Sequence, residues 1–434
     1  MDKMADVLGR AGAWCGQNKY LSAIKNAFQN FMPLTIAGAI GVLWCNVLVN
    51  DQTGLGLFFK PIMALDFLNP AFQAVNFCTI SCITVGITLG IAQEIGVWNM
   101  GAERAGYIPG LVGLAAWLSV TNTSHMVEGA KDAFTGIAGN ELGATGLFTG
   151  MIIGVLSVEL FCFFEKQDAL KIKMPEQVPP GVARAFEVLV PATITLIITA
   201  CIGSACYNLT GLYLNDVIKN GIQGPLGAVG ATIPGVMIIY LVIMLFWLVG
   251  IHGNNMLSAV KEALFTPLAL ENVEAFNKHQ TPKNIINMYA LQMWGEFGGS
   301  GVTIGLVIAI MIFGKREDNK AIATLSLVPG LFNINETVTF GIPMVLNPIL
   351  GIPFVVAPLI TIIIGYVLTV IGFCPVACLT VPWTCPPIVF GFLACGANVM
   401  GAVTQAILIV VSTVIYVPFL ISYEKYQNKQ AAEA

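Results

Sequence analysis

Long apolar segments recur along almost the whole chain, and few charged residues interrupt them. A helix needs about 20 apolar residues to cross a bilayer, and segments near this length lie at 27–49, 71–93, 107–121, 143–164, 186–207, 231–251, 299–313, 345–371 and 397–421. Charged residues make up 10% of the 434-residue sequence, against about 25% in soluble domains. The mean hydropathy is +0.80. The sequence therefore predicts an all-α polytopic membrane protein.

The distribution of basic residues predicts the number and direction of the crossings. Lys and Arg cluster in the first 25 residues (Lys3 among them), in 165–185, in 314–322 and near the C-terminus. Such clusters stay in the cytoplasm, which requires an even number of crossings. A tenth span is therefore predicted at 254–270, which is too polar to face lipid and must be buried against protein. We expect about ten transmembrane helices, with both termini cytoplasmic.

The two halves of the chain differ in polar content. Residues 1–207 hold apolar spans with few polar groups inside them, and we interpret them as a scaffold and dimerisation transmembrane domain. Residues 231–434 hold interrupted segments and most of the polar groups, which is typical of a transport domain. Residues 208–230 mix apolar and polar positions and predict an amphipathic connector at the membrane surface. A further surface helix is predicted at 18–28, where a fully solvated helix is the alternative.

A cluster of polar residues lies inside an otherwise apolar stretch, 327–348. The cluster consists of Asn333, Asn335, Glu336 and Thr337, and prolines and glycines on both sides of it would interrupt a continuous helix. A carboxylate at the centre of a membrane helix costs roughly 2.5–3.5 kcal/mol. We therefore interpret the stretch as a re-entrant hairpin that lines a solute site, with Glu336 near its tip. The alternative is a surface loop in which Glu336 is solvated.

A second interrupted stretch, 375–396, is apolar but rich in proline and glycine. This composition predicts a second re-entrant hairpin that enters the membrane from outside. Trp383 lies within it, and a tryptophan face is suited to stacking on a sugar ring. A tryptophan of the membrane-surface belt is an equally good interpretation of this residue.

Two groups of residues are suited to binding a carbohydrate. His252 lies between two glycines, which allow close approach of a ligand, and a neutral imidazole donates one hydrogen bond and accepts one, as a sugar hydroxyl does. A solvated histidine at a helix end is the alternative. Glu336, Asn333 and Asn335 offer carboxylate and amide groups that match a sugar. Glu336 could also accept the proton of a hydroxyl that attacks an electrophile.

Several kinds of site have no support in the sequence. We find no P-loop, metal-ligand cluster or nucleophile motif, and the glycine-rich run 294–301 lacks the strand–loop–helix setting of a nucleotide site. No basic face indicates nucleic-acid binding. His125 and His279 fall in predicted loops, and a disulfide between Cys374 and Cys378, the nearest loop pair among eleven cysteines, is not favoured. We expect no cofactor, so uphill transport must use an ion gradient or a phosphoryl donor on another chain.

Five motifs together resemble one known family. GIHGNN at 250–255, GGSG at 298–301, PGLFNINE at 329–336, FGIPMVLNP at 340–348 and VPWTCPP at 381–387 follow one another in this order. The same order is found in EIIC, the membrane subunit of the bacterial phosphoenolpyruvate-dependent sugar phosphotransferase system. The chain is most similar to the lactose/cellobiose/diacetylchitobiose branch, and the resemblance extends over essentially its whole length.

The resemblance implies an architecture and a set of partners. It implies a homodimer in the bacterial inner membrane, with the N-terminal halves at the interface and the sugar bound in each C-terminal half between the two hairpins. It also implies that the sugar is phosphorylated on its 6-hydroxyl during import. The donor would be a phosphocysteine on a separate IIB protein, charged through IIA, HPr and enzyme I, because these 434 residues include no IIA or IIB segment.

The resemblance also implies roles for individual residues. His252 and Glu336 correspond to the histidine and glutamate that the family assigns to the 6-hydroxyl, with Glu336 as the general base. Asn254, Asn335 and Trp383 correspond to weaker candidates for sugar contacts. One departure is the residue after the glutamate, which is Thr337 here and proline in many relatives. Because proline pre-sets the backbone, its absence would loosen the hairpin.

The resemblance thus implies a sugar phosphotransferase component that imports a β-linked disaccharide of the diacetylchitobiose or cellobiose type. The alternative is a proton-coupled secondary sugar transporter that uses Glu336 and leaves the sugar unmodified. A channel is disfavoured, because no ring-forming filter sequence is present.

Overall fold

A computed structural model of the protein describes residues 10, 13–14, 17–51, 55–125, 134–175, 177–342 and 344–433. Lys3 of the N-terminal basic cluster and Pro343 of the stretch 327–348 lie outside these residues. The described chain is predominantly helical. The only strands within it are β1 (Ser124–His125) and β2 (Phe134–Thr135), which pair antiparallel.

Helices follow one another along most of the described chain. Those before residue 231 are α1 (Lys19–Leu43), α2 (Asn69–Asn76), α3 (Ile83–Met100), α4 (Ala102–Ala105), α5 (Ile108–Val120), α6 (Gly139–Leu142), α7 (Ala144–Glu165), α8 (Pro180–Thr210), α9 (Leu214–Ile218) and α10 (Gly224–Gly230). Those after it are α11 (Ile233–Leu248), α12 (Gly253–Asn277), α13 (Met288–Gly295), α14 (Ile304–Phe313), α15 (Glu317–Leu331), α16 (Glu336–Gly341), α17 (Gly351–Val370), α18 (Val389–Ala394) and α19 (Val399–Glu433). Short 3₁₀ or π turns lie at Trp44–Leu48, Leu55–Leu57, Lys60–Leu68, Phe77–Ser81, Asp168–Leu170 and Lys219–Gln223.

Each predicted apolar segment coincides with a helix or with a helix and its flanking turns. Five of the described helices are long and apolar enough to cross a membrane, and a bent pair would make a sixth. Three further apolar helices, α5, α11 and α14, are shorter. A chain with this many long apolar helices is a multi-pass membrane protein. The predicted total of ten crossings stays a prediction.

The second predicted span, 71–93, is bent in the structure. The helical run Lys60–Ser81 meets α3 at an angle of 42°. A π turn, Phe77–Ser81, directly precedes the bend, and such turns are a known cause of kinks because they disturb the regular backbone hydrogen bonds. The predicted surface helix at 18–28 is also not separate from the first span, because residues 19–28 form the beginning of α1.

The chain forms two compact units. One comprises Gln17–Gly38 and Ala74–Ala228. In this unit the buried residues Ala116, Trp117, Val120 and Ile153 form a core cluster. At the end of α7 the buried Glu165 carboxylate pairs with Arg104 at 2.8 Å and with Arg184 at 2.9 Å. These ion pairs join α7 to α4 and α8.

The other unit comprises Ala39–Gln73, Val229–Ala434 and the described residues of Met1–Gly16. The predicted halves place 39–73 with the N-terminal spans, whereas the contacts group it with the C-terminal residues. Within this unit the Trp44 ring stacks on Phe72 at 4.2 Å, and Asn46 donates to the Asn277 side chain at 3.2 Å. This second unit also carries every residue that the sequence proposes for a sugar site.

Candidate functional site

His252 occupies the turn between α11 and α12. It is the N-cap of α12, and its Nδ1 accepts a hydrogen bond from the backbone N–H of Asn255 at 3.2 Å. A side chain that caps a helix in this way satisfies one of the free N–H groups of the first turn. Because Nδ1 is the acceptor, the proton of the neutral imidazole lies on Nε2. The Trp247 ring packs against the imidazole, with 4.4 Å between ring centroids, and holds its orientation.

Glu336 faces the imidazole from the first position of α16. Its Oε1 lies 3.7 Å from His252 Nε2, and the two side chains are 47% and 36% exposed. This separation is too long for a hydrogen bond between the two groups. A hydroxyl oxygen that sits beside both could accept a hydrogen bond from Nε2–H and donate its own proton to the carboxylate. The pair can therefore bind and deprotonate a hydroxyl group of a solute.

Asn335 fixes the backbone immediately before Glu336. Its side chain is buried, and Nδ2 donates to the Ser300 carbonyl at 2.8 Å. The glycine-rich loop approaches closely here, because Gly299 has a φ of +89° and a Cβ added to it would lie 2.7 Å from the Asn335 side chain. The predicted sugar contact at Asn335 stays a prediction. What the structure shows is an amide that ties the Glu336 turn to the GGSG loop.

Substituting Gly299 with alanine should disturb the site through this close approach. The added Cβ would need Asn335 to move, and overpacking of this kind costs about 1–3 kcal/mol. We expect a lower unfolding temperature in detergent and weaker sugar binding. Gly372→Ala is the matched control, since Gly372 has a φ of +77° but nothing within 4 Å of an added Cβ. Equal effects of the two substitutions would contradict the role given to the contact with Asn335.

Asn333 joins three loops through one side chain. Its φ of +62° lies in the left-handed region, which asparagine tolerates better than most residues. Its Oδ1 accepts from Gly298 N–H at 2.6 Å. Its Nδ2 donates to the carbonyls of Trp383 at 2.5 Å and of Cys385 at 3.1 Å. Asn333 therefore links the turn between α15 and α16 to the GGSG loop and to the loop that carries Trp383.

The Trp383 side chain is 43% exposed. Its backbone carbonyl is held by Asn333, whereas much of its indole surface stays accessible. An accessible indole on an anchored loop is suited to stacking on a sugar ring. The predicted role of Trp383 is compatible with this placement and stays a prediction.

Asn254 takes part in a polar network that the sequence did not predict. Its Nδ2 donates to Ser300 Oγ at 2.9 Å, and its Oδ1 accepts from Lys261 Nζ at 3.3 Å. Lys261 forms an ion pair with Glu296, whose Oε1 also accepts from the Tyr240 hydroxyl. The sequence feature that could have indicated this network is a lysine and a glutamate within segments that contain few other charges.

The other candidates named from the sequence are two histidines and a pair of cysteines. His125 forms part of β1 in the other unit, and His279 is exposed after the end of α12. The described cysteines are free, and Cys374 Sγ lies 3.9 Å from Cys395 Sγ, too far for a disulfide bond. Among the described residues, no group of three His, Cys, Asp or Glu could hold a metal ion.

The comparison with protein families is decisive. A sequence model of the family described as "Phosphotransferase system, EIIC" matches residues 25–358. The chain belongs to this family. The oligo-beta-mannoside-specific EIIC component of Bacillus subtilis (strain 168) is 32% identical to this EIIC over 429 residues, which cover 98% of this chain and 94% of that protein.

Two other comparisons agree with this assignment. The cellobiose-specific EIIC component of Lactococcus lactis subsp. lactis (strain IL1403) is 30% identical to this EIIC over 486 residues and covers 98% of each chain. The crystal structure of the transporter ChbC, the IIC component from the N,N'-diacetylchitobiose-specific phosphotransferase system, has a TM-score of 0.88 at 29% identity, over 97% of each chain. The resemblance drawn from the five motifs is confirmed. This EIIC is the multi-pass permease component of a sugar phosphotransferase system.

Proposed function

We propose that this EIIC imports a β-linked disaccharide of the diacetylchitobiose or cellobiose type, and that a separate phospho-IIB phosphorylates the 6-hydroxyl of the sugar during import. The observation that carries the proposal is the 3.7 Å separation between His252 Nε2 and Glu336 Oε1, which one hydroxyl group can bridge. The sugar class is supported by the relatives described as specific for cellobiose, oligo-beta-mannoside and N,N'-diacetylchitobiose.

In this proposal each residue has a defined task. His252 donates from Nε2–H to the 6-oxygen and orients it, while Glu336 accepts the hydroxyl proton. The 6-oxygen then attacks phosphorus, so that an O–P bond forms, the P–S bond to the IIB cysteine breaks and the thiolate leaves. Positioning of the two reactants supplies much of the rate in phosphoryl transfer. Trp383 stacks on a sugar ring, and Asn254, Asn333 and Asn335 hold the surrounding loops and offer further polar contacts.

The proposed architecture places this chemistry in the membrane. Ten helices cross the inner membrane with both termini in the cytoplasm, and the stretches 327–348 and 375–396 form re-entrant hairpins. Residues 1–207 form the scaffold of a homodimer, 208–230 the surface connector and 231–434 the transport domain. IIB docks on the basic inner loops and receives its phosphoryl group through enzyme I, HPr and IIA. The basic clusters support the proposed orientation. The break in the helix between α15 and α16 supports a re-entrant hairpin at 327–348.

Transport by purified protein tests the proposal directly. The EIIC is reconstituted in liposomes, and radiolabelled cellobiose or diacetylchitobiose is supplied outside, with or without phospho-IIB inside. We expect sugar 6-phosphate to accumulate only with phospho-IIB, and the ratio of the two products ranks the substrates. Free sugar that accumulates under an imposed proton gradient, without any need for IIB, would instead establish a proton-coupled secondary transporter.

A further inference from the structure

We propose that Lys261 and Glu296 are positioning residues for the reaction, and that their ion pair sets the relative placement of His252 and Glu336 through Asn254 and Ser300. This inference rests on the proposed function. Neither residue touches the reacting hydroxyl in the proposal. They act through a continuous series of hydrogen bonds within the unit that carries the site.

The first branch of the network acts on the helix that His252 caps. Lys261 follows Asn254 by seven residues, which is two turns of α12, so both side chains lie on one face of the helix. Lys261 Nζ donates to Asn254 Oδ1 at 3.3 Å. Asn254 is in the first turn of α12, next to the capped end. The contact therefore fixes the rotation of this turn, and with it the direction of His252 Nε2.

The second branch reaches Glu336. Asn254 Nδ2 donates to Ser300 Oγ at 2.9 Å, and the carbonyl of the same Ser300 accepts from Asn335 Nδ2 at 2.8 Å. Asn335 directly precedes Glu336. A displacement of Asn254 would therefore be transmitted through Ser300 to the turn that presents the carboxylate. His252 and Glu336 are thus both connected to the side-chain amide of Asn254.

The ion pair is well placed to anchor both branches. The Lys261 and Glu296 side chains are only 7% and 16% exposed. Glu296 is also held by the hydroxyl of Tyr240, which is fully buried and donates at 2.7 Å. A buried ion pair contributes little net stability compared with apolar residues, and one use of such pairs is to specify a single arrangement of the chain. Here that arrangement is the one that places Asn254.

A double replacement separates positioning from folding. Lys261→Met leaves the largely buried Glu296 carboxylate without its cation, and Glu296→Gln leaves the buried Lys261 ammonium without its anion. The combined variant removes both charges together. The amide introduced by Glu296→Gln would still accept from Tyr240. Lys278→Met is the matched control, because Lys278 pairs with Glu274 near the end of α12 but is 60% exposed. For each protein we would measure the unfolding midpoint in detergent, sugar binding at equilibrium, and kcat and KM for sugar 6-phosphate formation with phospho-IIB.

We expect each single variant to lose thermal stability and at least tenfold in kcat. The double variant should recover the unfolding midpoint of the wild type and bind sugar within a few fold of it, yet keep a tenfold or larger deficit in kcat. Lys278→Met should match the wild type throughout. A double variant that is stable and turns over at the wild-type rate would overturn the proposal, because the pair would then serve folding alone.

Ser300→Ala gives a second test that leaves the ion pair intact. It removes only the hydroxyl that joins Asn254 to the loop, while the carbonyl that holds Asn335 remains. We expect a three- to tenfold loss in kcat with an unchanged unfolding midpoint, and an unchanged kcat would overturn the proposal even if the double variant did not fold. If the wild type itself forms no sugar phosphate with phospho-IIB, the proposed function fails. Positioning is then decided by sugar affinity, which should fall by a few fold in both Ser300→Ala and the double variant if the network places the site, and stay at the wild-type value in both if it does not.

Discussion

Replacement of Glu336 with glutamine should lower sugar 6-phosphate formation by about 10²- to 10⁴-fold, the usual contribution of a general base. The amide has the shape of the carboxylate and still forms hydrogen bonds, but it cannot accept the proton of the attacking hydroxyl. Sugar binding should therefore fall by less than about tenfold, since one neutral hydrogen bond contributes about 0.5–1.5 kcal/mol. Radiolabelled product formed with phospho-IIB gives the rate, and equilibrium binding to purified protein gives the affinity.

Glu274→Gln provides the matched control for this change. Glu274 lies near the end of α12, is 41% exposed and pairs with Lys278. The same chemical substitution there should leave rate and affinity unchanged. Product formation by Glu336→Gln at the wild-type rate would exclude Glu336 as the base.

Replacement of His252 with asparagine should separate the two functions of the imidazole. Asparagine is among the best N-cap residues, so its side-chain oxygen should replace Nδ1 as the acceptor from Asn255 and preserve the start of α12. It is too short to replace Nε2, which is the atom that faces Glu336. A hydrogen bond to a group that develops charge contributes about 1.5–3 kcal/mol. We expect kcat/KM to fall by about 10- to 100-fold, with little change in the unfolding midpoint.

His279→Asn is the corresponding control. His279 is exposed and has a φ of +53°, a conformation that asparagine adopts readily, so this variant should fold and turn over normally. His252→Ala should differ from His252→Asn by an additional loss of stability of about 1 kcal/mol, because alanine cannot cap the helix. If His252→Asn retained the full rate, Nε2 would have no part in the reaction.

The positions of the membrane helices were predictable because they depend on local composition. About 20 apolar residues in succession allow few structures besides a membrane helix, and the helices lie where these segments are. The bend before α3 was not predictable, since a π turn depends on packing and has no simple sequence signal. The grouping of 39–73 with the C-terminal residues was also not predictable from the sequence, because contacts such as that of Asn46 with Asn277 join residues far apart along the chain.

The candidate site was predictable only in part. His252 and Glu336 were identifiable because a polar group among glycines, prolines and apolar residues is costly without a function. The sequence could not show that they face each other across 3.7 Å, since they lie far apart along the chain. The sequence alone assigns no role to Lys261 or Glu296. Their significance depends on being paired, and pairing over such a distance is a property of the folded chain.

The three loops held by Asn333 have a consequence for changing what this permease recognises. Asn333 itself lies in the turn before Glu336, and its side-chain amide bonds to the N–H of Gly298 and to the carbonyls of Trp383 and Cys385 in the other two loops. A loop exchanged singly with a relative would bring a backbone shaped for a different set of neighbours, and the shared bonds would be lost in all three places. Altered sugar selectivity should therefore be sought by transplanting the three loops as one cassette, or by changing side chains that point away from Asn333.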